Sequence, residues 1–149
     1  MSEKEELLNK SEYETIGQML FELVKKCPYI PNGVNVRYQG TDADVSIGVF
    51  TLPGAKYISR NVIGGFTAQV KFQVAYKSLP ISDNQKMESQ ALVDKIMNWL
   101  EDYRKLPALS GGRMITKITA SDSLPYKDKT GDDKSMVFAA DAVMEYEAD

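Results

Sequence analysis

Apolar and polar positions alternate most cleanly over residues 66–77. Phe66, Ala68, Val70, Phe72, Val74 and Tyr76 share one face, and Thr67, Gln69, Lys71, Gln73 and Lys77 share the other, with Ala75 the one exception. A two-residue period over a dozen residues predicts an antiparallel strand with one face on a core. Residues 136–146 repeat it, with Met136, Phe138, Ala140, Ala142, Met144 and Tyr146 on one side. Shorter runs at 34–38, 45–49, 56–63 and 114–120 predict four more strands. The 45–49 run sets Val45, Ile47 and Val49 against Asp44, Ser46 and Gly48, so it reads as half-buried. Gly64-Gly65 lies between two runs and suits a hairpin turn, because glycine adopts positive φ without a Cβ clash.

Two stretches have the helical period instead. Ile16, Met19, Leu20, Leu23, Val24 and Cys27 form one stripe, preceded by Ser11-Glu-Tyr-Glu14, which fits a capping box. Pro28 and Pro31-Asn32-Gly33 stop that helix. Met87, Ala91, Leu92, Ile96, Trp99, Leu100 and Tyr103 line a second helix opened by Ser82 and Gln85, another capping box. Pro107 and Gly111-Gly112 close it. Residues 1–10 read as a charged lead-in, helical or frayed. Residues 121–134, SDSLPYKDKTGDDK, read as a long exposed loop. The expected fold is a single α+β domain over residues 1–149, a mainly antiparallel sheet covered by two helices, in the order α-β-β-β-β-α-β-β.

Composition removes whole classes of function. The 149 residues are 43% hydrophobic and 26% charged, with a formal net charge of −3, so a basic nucleic-acid-binding face is not expected. No apolar run is long enough to span a bilayer, and MSEKEELLNK has no signal-peptide core, so the expected location is the cytoplasm of the producing cell. Cys27 is the sole cysteine, which leaves no intramolecular disulfide. There is no histidine, the side chain best suited to proton transfer near neutral pH and the commonest transition-metal ligand. No Ser-His-Asp or Cys-His site can be built within the chain.

The strings that suggest chemistry lose it on context. Asp128-Lys129-Thr130-Gly131-Asp132 matches four residues of the phosphorylated-aspartate motif of cation-pumping ATPases, but Asp132 stands where Thr belongs and no nucleotide fold leads into it. Asp122, Asp128, Asp132 and Asp133 cluster without the ligand spacing or closing glutamate of a calcium loop. Neither Gly-Gly pair fits a phosphate cradle. Cys27 and Trp99 lie on apolar stripes and read as core. Asp141 and Glu145 share a strand face four residues apart, and a solvated or subunit-facing sheet explains them without a pocket. No enzyme activity, cofactor or metal is expected.

Val137, Ala139 and Val143 make the opposite face of the last strand more apolar than free exposure requires, which suggests self-assembly through sheet faces or edges. The segment Arg60-Asn-Val-Ile-Gly-Gly-Phe-Thr-Ala-Gln-Val-Lys-Phe-Gln-Val74, followed by Ser-Asp-Asn-Gln-Lys at 82–86, resembles the phage minor capsid protein family. These proteins are similar to tail terminators, or tail completion proteins, of long-tailed phages and prophages. The resemblance runs from Ser11 to Tyr146 and rests on a strand pattern and a turn.

That resemblance implies a homo-oligomeric ring, usually hexameric, seated on the last ring of the tail tube. It would stop tube growth and present the head-joining surface to a head-completion protein. It implies assembly in the host cytoplasm, a place at the head-proximal end of the virion tail, and DNA that passes through without sequence-specific binding. By analogy, the candidate partner-contact loops hold Thr51, Leu52, Pro53, Gly54 and Lys56, and Asp122, Tyr126, Lys127, Asp128, Lys129, Asp132, Asp133 and Lys134. The alternatives are a head-completion or stopper protein, or a cellular module that binds a small molecule between sheet and helices.

Overall fold

A computed structural model describes residues 6–42, 45–79, 82–121, 124–127 (backbone only) and 135–149. Its elements follow the expected α+β order, with one strand more. They are α1 (Lys10–Lys25), β1 (Asn35–Tyr38), β2 (Ser46–Thr51), β3 (Lys56–Arg60), β4 (Phe66–Ser78), α2 (Asp83–Glu101), a 3-10 turn (Tyr103–Lys105), β5 (Arg113–Ala120), β6 (Leu124–Lys127) and β7 (Met136–Ala148). The strands form one sheet in the order β1-β2-β4-β7-β5, with β3 paired to β4 and β6 paired to β7. Every pairing is antiparallel except β1 with β2.

The two strands with the clearest alternation are the spine. β4 and β7 pair over their full length, Phe66 opposite Ala148 and Ser78 opposite Met136. Val70, Phe72, Val74, Ala140, Ala142, Met144 and Tyr146 therefore share one face and are buried. Both helices pack on that face. Tyr13 of α1 donates from its hydroxyl to Thr51 Oγ1 at 2.9 Å, and Ser89 of α2 meets the Ser78 hydroxyl at 3.1 Å. Ile16, Leu20, Leu23 and Val24 of α1, with Val93, Ile96, Met97 and Leu100 of α2, complete the core. The result is two layers, with helices on one side of the sheet only.

Several expectations need correction. The α1 cap is Asn9 rather than Ser11: Asn9 Oδ1 accepts from the Glu12 amide at 2.8 Å. Residues 6–9 run extended instead of helical or frayed, and Leu7 bridges Lys56 on the outer edge of β3. The second capping site stands as read, with Ser82 Oγ accepting from the Gln85 amide. The stripe of α2 is rotated from its expected phase, leaving Met87 60% exposed while Ser89 turns inward. β2 is buried on both faces, not half-buried. The turn at Gly40 crosses its second face so closely that a Cβ on Gly48 would lie 2.6 Å from the Gly40 carbonyl oxygen. Residues 121–134 are not one continuous loop, because β6 pairs with the first residues of β7.

Candidate assembly interface

The helix-free face of the sheet is open. Across β4 and β7 it presents Gln69, Lys71 and Gln73 opposite Glu145, Val143 and Asp141. Gln73 donates to Asp141 Oδ1 at 3.0 Å across the strands. Ala75 and Ala139 face each other nearby and are almost closed to solvent. This surface mixes charges of both signs with apolar area. Asp141 and Glu145 gather no third acidic ligand: the described residues hold no group of three or more His, Cys, Asp or Glu placed to bind a metal.

Apolar exposure concentrates at one end of the sheet, on the β3–β4 hairpin. Asn61 donates its amide to the Gly65 carbonyl at 2.7 Å, and Gly64 takes φ +99°, a left-handed value that glycine adopts without strain. The turn therefore forms as its Gly-Gly sequence predicts. It also pushes Val62 and Ile63 outward, at 107% and 92% exposure. Ile58, in the bulge between Tyr57 and Ser59, and Leu7, which bridges Lys56 at the far end of β3, are also exposed. The hairpin root is firm. Tyr57 packs edge-on against Phe66 with ring centroids 5.2 Å apart, and Arg60 lies over the Tyr57 ring while pairing with Glu6.

The opposite end of β4 holds a groove of about 510 Å³, lined by Tyr29, Pro31, Val45, Tyr76, Leu79 and Leu92 among others. Burial pushes the Tyr76 phenol up, so it stays a neutral O–H there. The described residues contain no unsatisfied buried side-chain polar atom to mark a missing ligand.

A polar network ties α1 to the sheet near the hairpin end. Glu12 receives two hydrogen bonds from the Arg113 guanidinium, one of them from Nε at 2.9 Å, and one from the Tyr146 hydroxyl at 2.7 Å. The Arg113 and Glu12 side chains are 15% and 11% exposed. Burial is the largest influence on Glu12 and pushes its carboxyl up. Arg113 and Tyr146 together outweigh it and hold the group below the ordinary carboxylate range. Burial, then Glu12, pushes the Tyr146 phenol far up, so it remains a donor. The network is a clamp, with every member occupied by another.

The first proposed contact loop divides in two. Thr51 is a buried strand residue held by Tyr13 and Gln39, and Lys56 belongs to β3. Pro53 and Gly54 are exposed, with Leu52 half-buried beside them. Tyr126 and Lys127 belong to β6. Asp122, Asp128, Lys129, Asp132, Asp133 and Lys134 lie outside the described residues, as does the ATPase-like string. Val62 and Ile63 were legible only as part of a strand run; their neighbouring Gly-Gly turn is the signal that could have placed them at a tip. Burial pushes the Cys27 thiol up, consistent with a packing role. No helix among the described residues is long and apolar enough to cross a membrane.

No protein-family model and no curated protein sequence matches this chain. Its fold is similar to that of a chain from the virion of a native gene transfer agent particle, covering 94% of this chain and 100% of that one, at a TM-score of 0.55 and 7% identity. A second solved chain is 17% identical over 94% of this chain and 96% of its own length, with a TM-score of 0.45. The likeness is one of fold.

Proposed function

We propose that this chain is a structural protein of a phage-like virion, and specifically a tail terminator: a ring, expected to be hexameric, that caps the tail tube and presents the head-joining surface. The observation that carries the reading is the apolar tip of the β3–β4 hairpin, where Val62 and Ile63 stand in water on a firm base. Clustered exposed apolar side chains on a soluble domain mark a protein-contact surface. The open sheet face, where Val143 lies opposite Lys71 and beside Asp141, is a second candidate contact surface. The shared fold with a chain of a gene transfer agent virion supports the same reading. A net charge of −3 suits a ring through which DNA passes, since a basic lumen would retain it. Assembly would take place in the host cytoplasm, and the exposed Pro53-Gly54 tip and the 122–134 segment are proposed contacts for the tube protein and the head-completion protein.

Native mass and negative-stain imaging of the pure protein, alone and with purified tail tubes, test this. Rings, or subunits bound only at tube ends, are expected. Binding to head vertices and not to tubes would make it a head-completion or stopper protein. A strict monomer that ignores both would sink the assembly reading. The groove of about 510 Å³ then becomes the leading feature, since that volume is ordinary for a small-molecule site, and thermal-shift screening would follow.

A further inference from the structure

We propose that Asn32 is a site of spontaneous covalent change: the Gly33 amide attacks the Asn32 side chain, and the cyclic imide opens to aspartate or isoaspartate. The chemistry is independent of the virion reading. Of the chain's six asparagines, Asn32 alone precedes glycine. Val34 donates its amide to the Pro31 carbonyl at 3.2 Å, which closes a turn over Asn32 and Gly33. Gly33 takes φ +84° while Asn32 stays out of the positive region, so the turn is of type II. The peptide unit between the two residues takes no part in the closing bond. Among the described residues, neither the Asn32 side chain nor the Gly33 amide has a hydrogen-bond partner. Both residues are exposed. A Cβ built on Gly33 would meet nothing within 4 Å, so a ring on that side has room.

The reaction is intramolecular, so its rate follows how freely the nucleophile reaches the side-chain amide. Glycine accepts φ of either sign, so the peptide unit can flip inside the turn and bring the Gly33 nitrogen toward Asn32 Cγ. A bond forms from that nitrogen to Cγ. The Cγ–Nδ2 bond breaks, and ammonia leaves with the proton from the Gly33 nitrogen. Water then opens the ring, and nothing is oxidised or reduced. Cleavage between nitrogen and Cγ restores an ordinary chain with a carboxylate at position 32. Cleavage between nitrogen and the main-chain carbonyl carbon routes the chain through Cγ and gives isoaspartate. The other asparagines are placed less well. Asn9 is held by the Glu12 amide and the Tyr57 hydroxyl, and Asn84 and Asn98 lie within α2. Asn35 and Asn61 precede valines, whose branched side chains crowd the attacking nitrogen. The product has a structural consequence as well. Val34 packs against the core directly before β1, so an added main-chain carbon at position 32 pulls on that strand.

Ageing the full chain in warm, mildly alkaline buffer, followed by peptide mapping with mass spectrometry, tests the site. A mass gain of about 1 Da is expected on the peptide that holds Asn32, as the amide NH2 is exchanged for OH. That peptide should split into two products of equal mass, one with aspartate and one with isoaspartate. Loss of the Asn32 amide is expected to run about tenfold faster or more than loss at any other asparagine. Asn32→Gln, an exposed and conservative change, should suppress it, because the longer side chain closes the strained ring less readily. The purified isoaspartyl form is expected to unfold at lower urea concentration than Asn32→Asp, which carries the same charge on an ordinary chain. Equal midpoints would overturn the link to β1. A folded chain that keeps the Asn32 amide while the urea-unfolded chain loses it would show that the turn protects the site, and would overturn the proposal. Faster loss at Asn35 or Asn61 would overturn it too. So would aspartate as the sole product, since direct hydrolysis gives that without a ring.

Discussion

β4 and β7 carry two faces built on the same backbone, one buried under the helices and one facing away from them. Toward the helices, Val70, Phe72, Val74, Ala142 and Met144 are sealed from water in the core they share with α1 and α2. One residue along, Lys71 and Asp141 are exposed, and Gln73 is half-buried. Burial of apolar area stabilises by about 25 cal/mol per Å², so the helix-side face supplies most of what holds this sheet together. The open face contributes little in the free subunit and can change its chemistry at small cost to folding. Interface properties can therefore be set on one side of a strand while stability is set on the other. Phe72→Ala is the sharpest way to probe the sealed side. It is expected to cost about 3–5 kcal/mol in urea unfolding, because the site is enclosed by helix and strand and cannot collapse. A loss under about 1 kcal/mol would mean the helices do not clamp that face in solution.

The Glu12–Arg113–Tyr146 clamp comes next, since it holds α1 to the sealed face by polar contacts. Glu12→Ala strands a mostly buried guanidinium and a phenol together, and is expected to cost about 2–3 kcal/mol. The pH dependence has a definite sign. The Glu12 carboxyl sits below its ordinary value of 4.5 in the folded chain. Its contribution is therefore fully present above pH 4.5 and is lost as pH falls through the lower folded value. The stability gap between wild type and Glu12→Gln should stay flat from pH 7 to about pH 5 and narrow below that. A gap that narrowed near pH 6 would show that Glu12 is not the group responsible.

Much of this architecture was legible because strands with one buried face announce themselves by alternation. β4, β7 and the α1 stripe needed no more than the period and a turn glycine. The α1 cap was misread locally, Ser11 for Asn9; in the other misplaced details local pattern was outvoted by a distant contact. Met87 fits the apolar spacing of α2, yet the helix is rotated so that Ser89 turns inward, where the Ser78 hydroxyl satisfies it. Glu12 and Arg113 are 101 residues apart, so no spacing could pair them. β6 is the four residues Leu-Pro-Tyr-Lys inside a polar stretch, and only its partner β7 makes it a strand. Val62 and Ile63 carry strand-like side chains, so the run reads as strand to its end, and only the Gly64-Gly65 pair after it marks the turn.

Capping offers a smaller effect that separates two readings of one helix start. Asn9→Ala removes the oxygen that accepts from the Glu12 amide and the amide that donates to the Tyr57 hydroxyl at 2.9 Å, and is expected to cost about 1–2 kcal/mol. Ser11→Ala, inside the first turn, should stay within about 0.5 kcal/mol, since an ordinary surface helix position tolerates alanine well. Equal losses would place the helix start two residues later than the Asn9 cap does.

The smallest effect belongs to the open face and tests the comparison most directly. Gln73→Ala removes the hydrogen bond to Asp141, but water can replace that partner at an accessible site. Unfolding in urea is expected to shift by no more than about 0.5 kcal/mol at subunit concentrations too low for assembly. Under the proposed assembly, the same variant sits on a surface that two copies or a tube ring would cover at higher concentration. A loss there, with none in the dilute subunit, would assign the open face to assembly. A loss of 2 kcal/mol or more in the dilute subunit, of the size expected when a buried polar partner is orphaned, would mean this face is already covered in the free chain, and the division of labour between the two sides would fail.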